Sequence, residues 1–197
     1  HYVFGERTAE AEEAVAWLYR EELLPALLAR TDRFVLARYS DAKWGEGLPG
    51  LTGLARYPRV AYLRTPDIPL PQSPLPKDYH LVEIGPALLA DKTLLLDSLH
   101  DEIASVWPSP QHFLAHGWGF GVLFGRELVT WCTAEEISPG RCGVGIWTHE
   151  AHRRLGLASS AAVAYATRCA QRGLVALWDA WAKIGRASCR ERVSNCV

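Results

Sequence analysis

The segment THEAHRRLGLASSAAVAYATRCAQRGL, residues 148–174, constrains the fold of this chain most strongly. Its second half predicts a helix of mostly small residues from Ala158 to Arg172, closed by Gly173. The first N–H groups of a helix have no partner inside it, and the helix dipole makes them attractive to anions. The turn directly before this helix therefore predicts a site for a phosphate or pyrophosphate group.

The residues of this turn suit a bound phosphate. Gly156 lets the backbone approach an anion without a Cβ atom in the way. The guanidinium groups of Arg153 and Arg154 can donate charge-assisted hydrogen bonds to phosphate oxygens. An ordinary strand–helix turn with a solvated basic pair would show the same residues, so the turn alone is not specific. The residues predicted to hold the anion are Arg153, Arg154, Leu155, Gly156, Leu157, Ala158 and Ser159.

A proline-rich stretch marks the clearest boundary in the chain. PDIPLPQSPLP, residues 66–76, is an extended segment that neither a helix nor a central strand tolerates. We expect an N-terminal α/β domain of unknown role over 1–65, a proline-rich linker over 66–78 and a core over 79–183. The remaining residues, 184–197, form a separate tail.

Hydrophobic periodicity predicts the elements of the two larger parts. The N-terminal part should hold a helix over 9–30 with a kink at Pro25, strands over 34–40 and 59–65, and a glycine-rich loop over 41–54. The core should hold, in order, a strand over 79–85, one or two helices over 86–107, a short helix over 109–117, a hairpin over 118–137 with Gly125 in its turn, a strand over 143–149, the helix over 158–172 and a strand over 174–181.

Composition excludes several classes of partner. The formal net charge is −1, so nothing favours nucleic acid or an anionic membrane surface as a partner. No apolar run reaches the roughly 20 residues of a membrane helix. The five cysteines contain no CxxC pair and fit no zinc pattern, which predicts buried free thiols, a reducing cytoplasmic compartment and no metal site.

The last residues, KIGRASCRERVSNCV, have no helical or strand period. Written back as codons, IGRASCRERV matches a widely used sequencing adapter in one reading frame. We therefore expect native sequence to stop near Lys183 and the tail over 184–197 to be non-native. The alternative is a genuine basic tail that binds an acidic partner.

The order of elements over 79–183, with the arginine–glycine turn between a strand and a helix, resembles the core of the GNAT acetyltransferases. GFGVLFGRELVTWC, GVGIWTHEAHRRLGLASS and LWDAW are similar to the subgroup typified by zwittermicin A resistance proteins. In that subgroup a strand ends in the pair found here as Thr148 and His149, and the last strand carries the pair Trp178 and Asp179. His152 departs from the tyrosine or other polar residue expected there. The asparagine–serine helix that should follow Lys183 is absent.

The resemblance implies a mixed, mostly antiparallel sheet flanked by helices, with its C-terminal strands missing. It implies an N-acetyltransferase that moves an acetyl group from the co-substrate acetyl-CoA to a primary amine of a small molecule. The pyrophosphate would lie on the turn before the helix. The pantetheine arm would lie in a gap beside the strand over 143–149, against Gly145, Ile146, Trp147 and Thr148.

The chemistry requires a base, because an alkylamine has a pKa of about 10 and must lose a proton before it attacks a thioester. The candidate bases are Glu135, Glu136, His149, Glu150 and Asp179. His149 could instead anchor the junction between strand and turn, and we favour Asp179 for binding or orienting the acceptor. The oxyanion would accept a hydrogen bond from a backbone N–H near Ile146 or Trp147. Tyr165 is expected to be a packing residue.

Two other functions remain open at this stage. A GNAT-like module could bind acyl-CoA as a sensor without catalysis. An unrelated α/β domain could use the same turn to bind a different phosphate, such as a nucleotide. The sequence predicts no oligomeric state.

Overall fold

The computed structural model describes residues 2–3, 6–29, 38–39, 42–53, 59–64 and 68–181. The chain divides into two compact units, residues 1–57 and 58–197. The predicted tail over 184–197, with Cys189 and Cys196, lies outside the described residues, so its origin stays a prediction.

The first unit contains the long helix that the sequence predicts. Ala11 N–H donates to Thr8 Oγ1 at 3.2 Å and starts the helix. The helix widens into a π-helical stretch directly before Pro25, whose ring nitrogen cannot donate a hydrogen bond. Its three parts are α1 (Ala9–Trp17), the π-helical residues Leu18–Leu23 and α2 (Leu24–Leu28).

The loop predicted over 41–54 is instead a helix, α3 (Ala42–Thr52). Trp44 and Leu48 are one helical turn apart and are buried together with Tyr19. Burial of this apolar stripe outweighs the poor helix propensity of the glycines and of Pro49. The described part of the unit also has two short parallel strands, β1 (Tyr2–Val3) and β2 (Arg38–Tyr39). Strand β2 is the described part of the strand predicted over 34–40.

The second unit is built on a six-stranded sheet in the order β3-β8-β7-β6-β5-β4. All neighbours pair antiparallel except β7 and β8, so the mixed, mostly antiparallel sheet predicted from the sequence is confirmed. Gly125 takes φ +59° in the β5–β6 turn, as predicted. The strands are β3 (Arg59–Leu63), β4 (Tyr79–Glu83), β5 (Gly119–Phe124), β6 (Glu127–Ser138), β7 (Arg141–Thr148) and β8 (Val175–Trp181).

Two segments that we placed before the core belong to this second unit. Strand β3 pairs antiparallel with β8 along its whole length. It thereby forms the edge of the sheet next to β8. The proline-rich segment is also part of the unit: Ser160 Oγ donates to the Ser73 carbonyl at 2.7 Å, and Leu75 packs beside Leu157. A strand pattern or a run of prolines does not specify its partner, so the sequence alone could not place either segment.

Helices cover both faces of the sheet, as predicted. Ser109 caps one helix by accepting from His112 N–H at 3.1 Å, and Gly117 ends it. Three thiols are buried and free, namely Cys132, Cys142 and Cys169. The helices are α4 (Pro86–Ala90), α5 (Asp97–Val106) and α6 (Pro110–His116) on one face and α7 (Leu157–Gln171) on the other.

Among the described residues, none of the helices combines the length and the apolar character needed to cross a bilayer.

Candidate functional site

The parallel strands β7 and β8 separate after their first three residue pairs. They pair only from Arg141 to Gly143 of β7 with Val175 to Leu177 of β8. Beyond that point β7 stays paired with β6 as far as Thr148, whereas β8 stays paired with β3 as far as Trp181. The sheet therefore has a gap between β7 and β8. One wall of this gap is the backbone of β7 from residue 144 to residue 148.

The direction of the backbone groups on this wall follows from one hydrogen bond. His149 N–H donates to the Val129 carbonyl on the β6 side at 2.8 Å. N–H groups alternate in direction along a strand, so those of Trp147 and Gly145 also point toward β6. The Ile146 N–H then points into the gap. Of the two oxyanion donors that the sequence left open, the geometry favours Ile146.

Tyr165 of α7 fastens the point where the strands separate. Its hydroxyl donates to the Gly143 carbonyl at 2.8 Å and lies 2.8 Å from Cys142 Sγ. The side chain is fully buried, which raises the pKa of its phenol by removing it from water. Tyr165 is therefore a packing residue, as the sequence suggested.

The arginine–glycine turn connects the end of β7 to α7. Gly156 is the N-cap of α7 with φ +80°, and Arg154 has φ +64°. Arg153 Nε donates to the Thr148 carbonyl at 3.2 Å, which ties the turn to the end of the wall. Arg153, Arg154 and Leu155 are exposed. The turn therefore presents two guanidinium groups beside the start of a 15-residue helix.

The other residues predicted around the turn have different surroundings. The Leu157 side chain is buried against Val122 and Val129, so only its backbone can face a ligand. Ala158 and Ser159 follow in the first turn of α7 and are half-buried. A Cβ atom on Gly156 would have no neighbour within 4 Å among the described residues, so the turn is open at this residue.

His149 and His152 form a polar cluster where β7 meets the turn. His149 Nδ1 accepts from Ala151 N–H at 3.3 Å, which caps the single 3-10 turn of Glu150–His152. His152 Nδ1 lies 2.8 Å from the Tyr79 hydroxyl. His149 is also four residues beyond Gly145, about 13 Å along the strand. These contacts favour the anchoring alternative for His149, and Glu150 is exposed in the same turn.

A pair of carboxyl groups lies on the face of β7 opposite α7. Strand β6 has an irregular register between Ala134 and Ile137, and Glu135 lies in that irregularity. A Cβ atom placed on Gly145 would collide with Glu135 Oε1 and would lie 2.7 Å from Glu102 Oε1. Both carboxyl groups therefore occupy the space that a side chain at residue 145 would fill.

The electrostatic surroundings of Glu135 make it a strong proton acceptor for a carboxylate. Burial is the main cause, followed by the negative charges of Glu102, Asp179 and Glu136, and together they raise the pKa of Glu135 to about 7. Burial likewise raises the pKa of Glu102. Of the candidate bases, the structure brings Glu135, Glu136 and Asp179 together and leaves His149 and Glu150 at the turn.

Glu102 was missed by the sequence reasoning, although a signal was present. Leu99 and Ile103 form the buried stripe of α5. Glu102 follows Leu99 by three residues and therefore lies beside it on the surface of the helix. A carboxylate on the edge of a buried stripe is uncommon and points to a partner.

Two tryptophans lie beside the carboxyl pair. Trp131 of β6 and Trp147 of β7 are cross-strand partners whose rings stack with centroids 6.3 Å apart. Trp131 is buried and donates through Nε1 to Ser98 Oγ at 3.2 Å, whereas Trp147 is half-buried. Within the described ranges, no group of three or more His, Cys, Asp or Glu side chains is arranged to hold a metal ion.

Comparison with known proteins assigns this arrangement to a family. The model of the GNAT acetyltransferase family matches residues 56–189. An uncharacterized N-acetyltransferase from Bacillus subtilis (strain 168) is 27% identical over 182 residues, which is 91% of this chain, and the chain spans 66% of that protein's length.

Solved structures show the same fold. A GCN5-related N-acetyltransferase-like protein from Streptococcus suis 89/1591 matches with a TM-score of 0.60 and 15% identity, over 99% of this chain and 74% of that one. An acetyltransferase from the GNAT family of Colwellia psychrerythraea matches with a TM-score of 0.54 and 10% identity, over 97% and 69%. With the family match spanning more than half of its residues, this chain belongs to the GNAT acetyltransferase family.

Proposed function

We propose that this protein transfers an acetyl group from acetyl-CoA to the primary amine of a small molecule by direct attack on the thioester. The observation that carries the proposal is the gap between β7 and β8, which has the arginine–glycine turn at one end and a carboxyl pair of raised pKa beside it. Acetyl-CoA supplies the activated acetyl group as co-substrate.

The residues present fit an extended thioester with a pyrophosphate. The unpaired edge of β7 from Gly145 to Thr148 offers backbone groups to an amide-containing arm. The first N–H groups of α7, from Leu157 to Ser159, point out of the helix end and suit a pyrophosphate, with Arg153 and Arg154 beside them.

Glu135 is the proposed general base. Its pKa of about 7 keeps a useful share ionised at neutral pH while making it a stronger acceptor than an ordinary carboxylate. The acceptor nitrogen gives its proton to Glu135 and forms a bond to the acetyl carbon. The oxyanion accepts from Ile146 N–H, the carbon–sulfur bond breaks, and the departing thiolate takes up a proton.

The surroundings of the base support a cationic acceptor. Asp179 and Glu136 add negative charge near Glu135, which favours an incoming ammonium group over a neutral or acidic molecule. The half-buried Trp147 can contact an organic cation through its ring.

We also propose that this chain belongs to the zwittermicin A resistance-like subgroup, which the Thr148–His149 and Trp178–Asp179 pairs support. A cytoplasmic location is proposed as well, and the buried free thiols support it.

The test measures release of free CoA from acetyl-CoA in the presence of kanamycin, putrescine, glycine and an unblocked peptide. Binding of acetyl-CoA, AMP and ATP is measured in parallel by calorimetry. We expect transfer to at least one amine and no competition from the nucleotides. Tight acetyl-CoA binding without transfer to any amine would favour the sensor alternative, and equal binding of the nucleotides would favour a nucleotide-binding domain.

A further inference from the structure

We propose that Glu102 of α5 is a positioning residue for Glu135: the two carboxyl groups share one proton above Gly145, and Glu102 thereby determines when Glu135 is free to accept the proton of the acceptor. This inference rests on the proposed function only for the role of that proton. The pairing itself can be tested on the protein without any substrate.

The first argument is the shared space above Gly145. Glu102 comes from α5 and Glu135 from β6, yet a single Cβ atom at residue 145 would meet an oxygen of each carboxyl group. Glycine at this residue is what allows both groups to reach the backbone of β7. Thr133 of β6 and Gly145 of β7 are direct cross-strand partners. The backbone beneath the two carboxyl groups is therefore held in place by the sheet.

The second argument is an unmet hydrogen-bonding need. Glu102 Oε1 is buried and has no partner of good hydrogen-bond geometry among the described residues, and the same is true of the fully buried Thr133 Oγ1. The side chains that act on the Glu102 carboxyl are those of Glu135 and Thr133. A buried carboxylate oxygen is costly without a donor. A proton held between Glu102 and Glu135 supplies the missing donor.

The third argument is the sign of the local charge. The charged groups that raise the pKa of Glu135 are all acidic: Glu102 on α5, Asp179 on β8 and Glu136 on β6 itself. Strand β7 contributes Gly145 at this point, and the thiol of Cys132 lies on β6 nearby. Two close carboxylates hold one proton more tightly than either would alone.

The pair takes up and releases its shared proton as a unit. The negative charge of Glu102 is, after burial, the next cause of the raised pKa of Glu135. Removing the charge of Glu102 should therefore lower the pKa of Glu135, while the contribution of burial remains.

The experiment follows the side-chain carboxyl carbons by NMR between pH 3 and pH 9 in the full chain labelled with ¹³C-glutamate. In the wild type we expect each of Glu102 and Glu135 to report two steps, its own and its neighbour's. In Glu102→Gln we expect Glu135 to titrate at least one pH unit lower. Glu102→Asp should restore part of the shift, because it keeps the charge with a shorter reach.

Two control variants separate this effect from general disturbance. Asp101→Asn removes the adjacent exposed carboxylate of α5 and should leave Glu135 unchanged. Glu136→Gln removes a weaker neighbour and should shift Glu135 by less than Glu102→Gln does.

The outcomes separate this inference from the proposed function. Single, independent titration steps for Glu102 and Glu135 in the wild type would overturn the pairing, and that result needs no variant to fold. An unchanged Glu135 in a folded Glu102→Gln protein would overturn it equally. Failure of the wild type to acetylate any amine would refute the proposed function while leaving the titration result intact.

Discussion

Gly156 offers the sharpest test of the anion site, because a matched control lies at the other end of the same helix. Gly156 at the start of α7 has φ +80°, and Gly173 just beyond its end has φ +69°. A Cβ atom on either glycine would meet no described atom within 4 Å. Valine at either residue therefore introduces the same kind of backbone strain, and its Cβ atom collides with no described atom.

The magnitudes follow from that strain. A left-handed conformation costs an L-residue about 1–2 kcal/mol, and each kcal/mol lowers the melting temperature of a protein of this size by about 2–4 °C. Gly156→Val and Gly173→Val should thus both melt a few degrees below the wild type. Acetyl-CoA affinity, measured by calorimetry, should fall at least tenfold, about 1.4 kcal/mol, in Gly156→Val alone. Equal affinities of the two variants would refute the anion site at the start of α7.

Four further predictions concern the base and the packing around it. Glu135→Gln should slow acetyl transfer at least about 100-fold and leave the acetyl-CoA affinity unchanged. The rate of the wild type should rise with pH through about 7, as Glu135 loses its proton. A flat pH–rate profile would exclude Glu135 as the base. The folded protein keeps a proton on Glu135 that the unfolded chain releases near pH 4.5. The free energy of unfolding should therefore fall as pH rises from 4.5 to 7. In Glu135→Gln, denaturant unfolding should show a smaller decrease of that free energy over the same pH range. Gly145→Ala places a Cβ atom 2.7 Å from Glu102 Oε1 and should lower kcat/KM about tenfold. In the control Gly143→Ala the nearest neighbour of the new Cβ atom is Glu136 Cβ at 3.3 Å. This control should fold and retain more activity. Tyr165→Phe leaves the Gly143 carbonyl with only the weaker donor Cys142 Sγ at 3.4 Å and should reduce the free energy of unfolding by about 0.5–1.5 kcal/mol. A loss below the error of chemical denaturation would show that the hydroxyl does not stabilise the separation point.

Sequence reasoning succeeded where a local pattern determines local structure. The β5–β6 hairpin follows from alternating apolar residues around Gly125, and α7 follows from its small residues between Gly156 and Gly173. In these places the chain's own periodicity and turn residues carry the information.

The failures are at contacts between distant segments. Helix α3 was predicted as a loop because its glycines and Pro49 hide a stripe whose burial becomes visible only with Tyr19 beside it. The partner of β3 could not be foreseen, since a strand pattern does not name its neighbour. Glu102 reaches Glu135 only after α5 packs on β6, and no local pattern encodes that meeting.

The measurement that tests the central claim most directly is a crystal structure of this protein soaked with acetyl-CoA. We expect the pyrophosphate within hydrogen-bonding distance of the N–H groups from Leu157 to Ser159. We expect the thioester in the gap between β7 and β8, with its carbonyl oxygen at the Ile146 N–H and its acetyl carbon on the side of Glu135. A pyrophosphate bound away from the start of α7, or a thioester outside the gap, would contradict this claim.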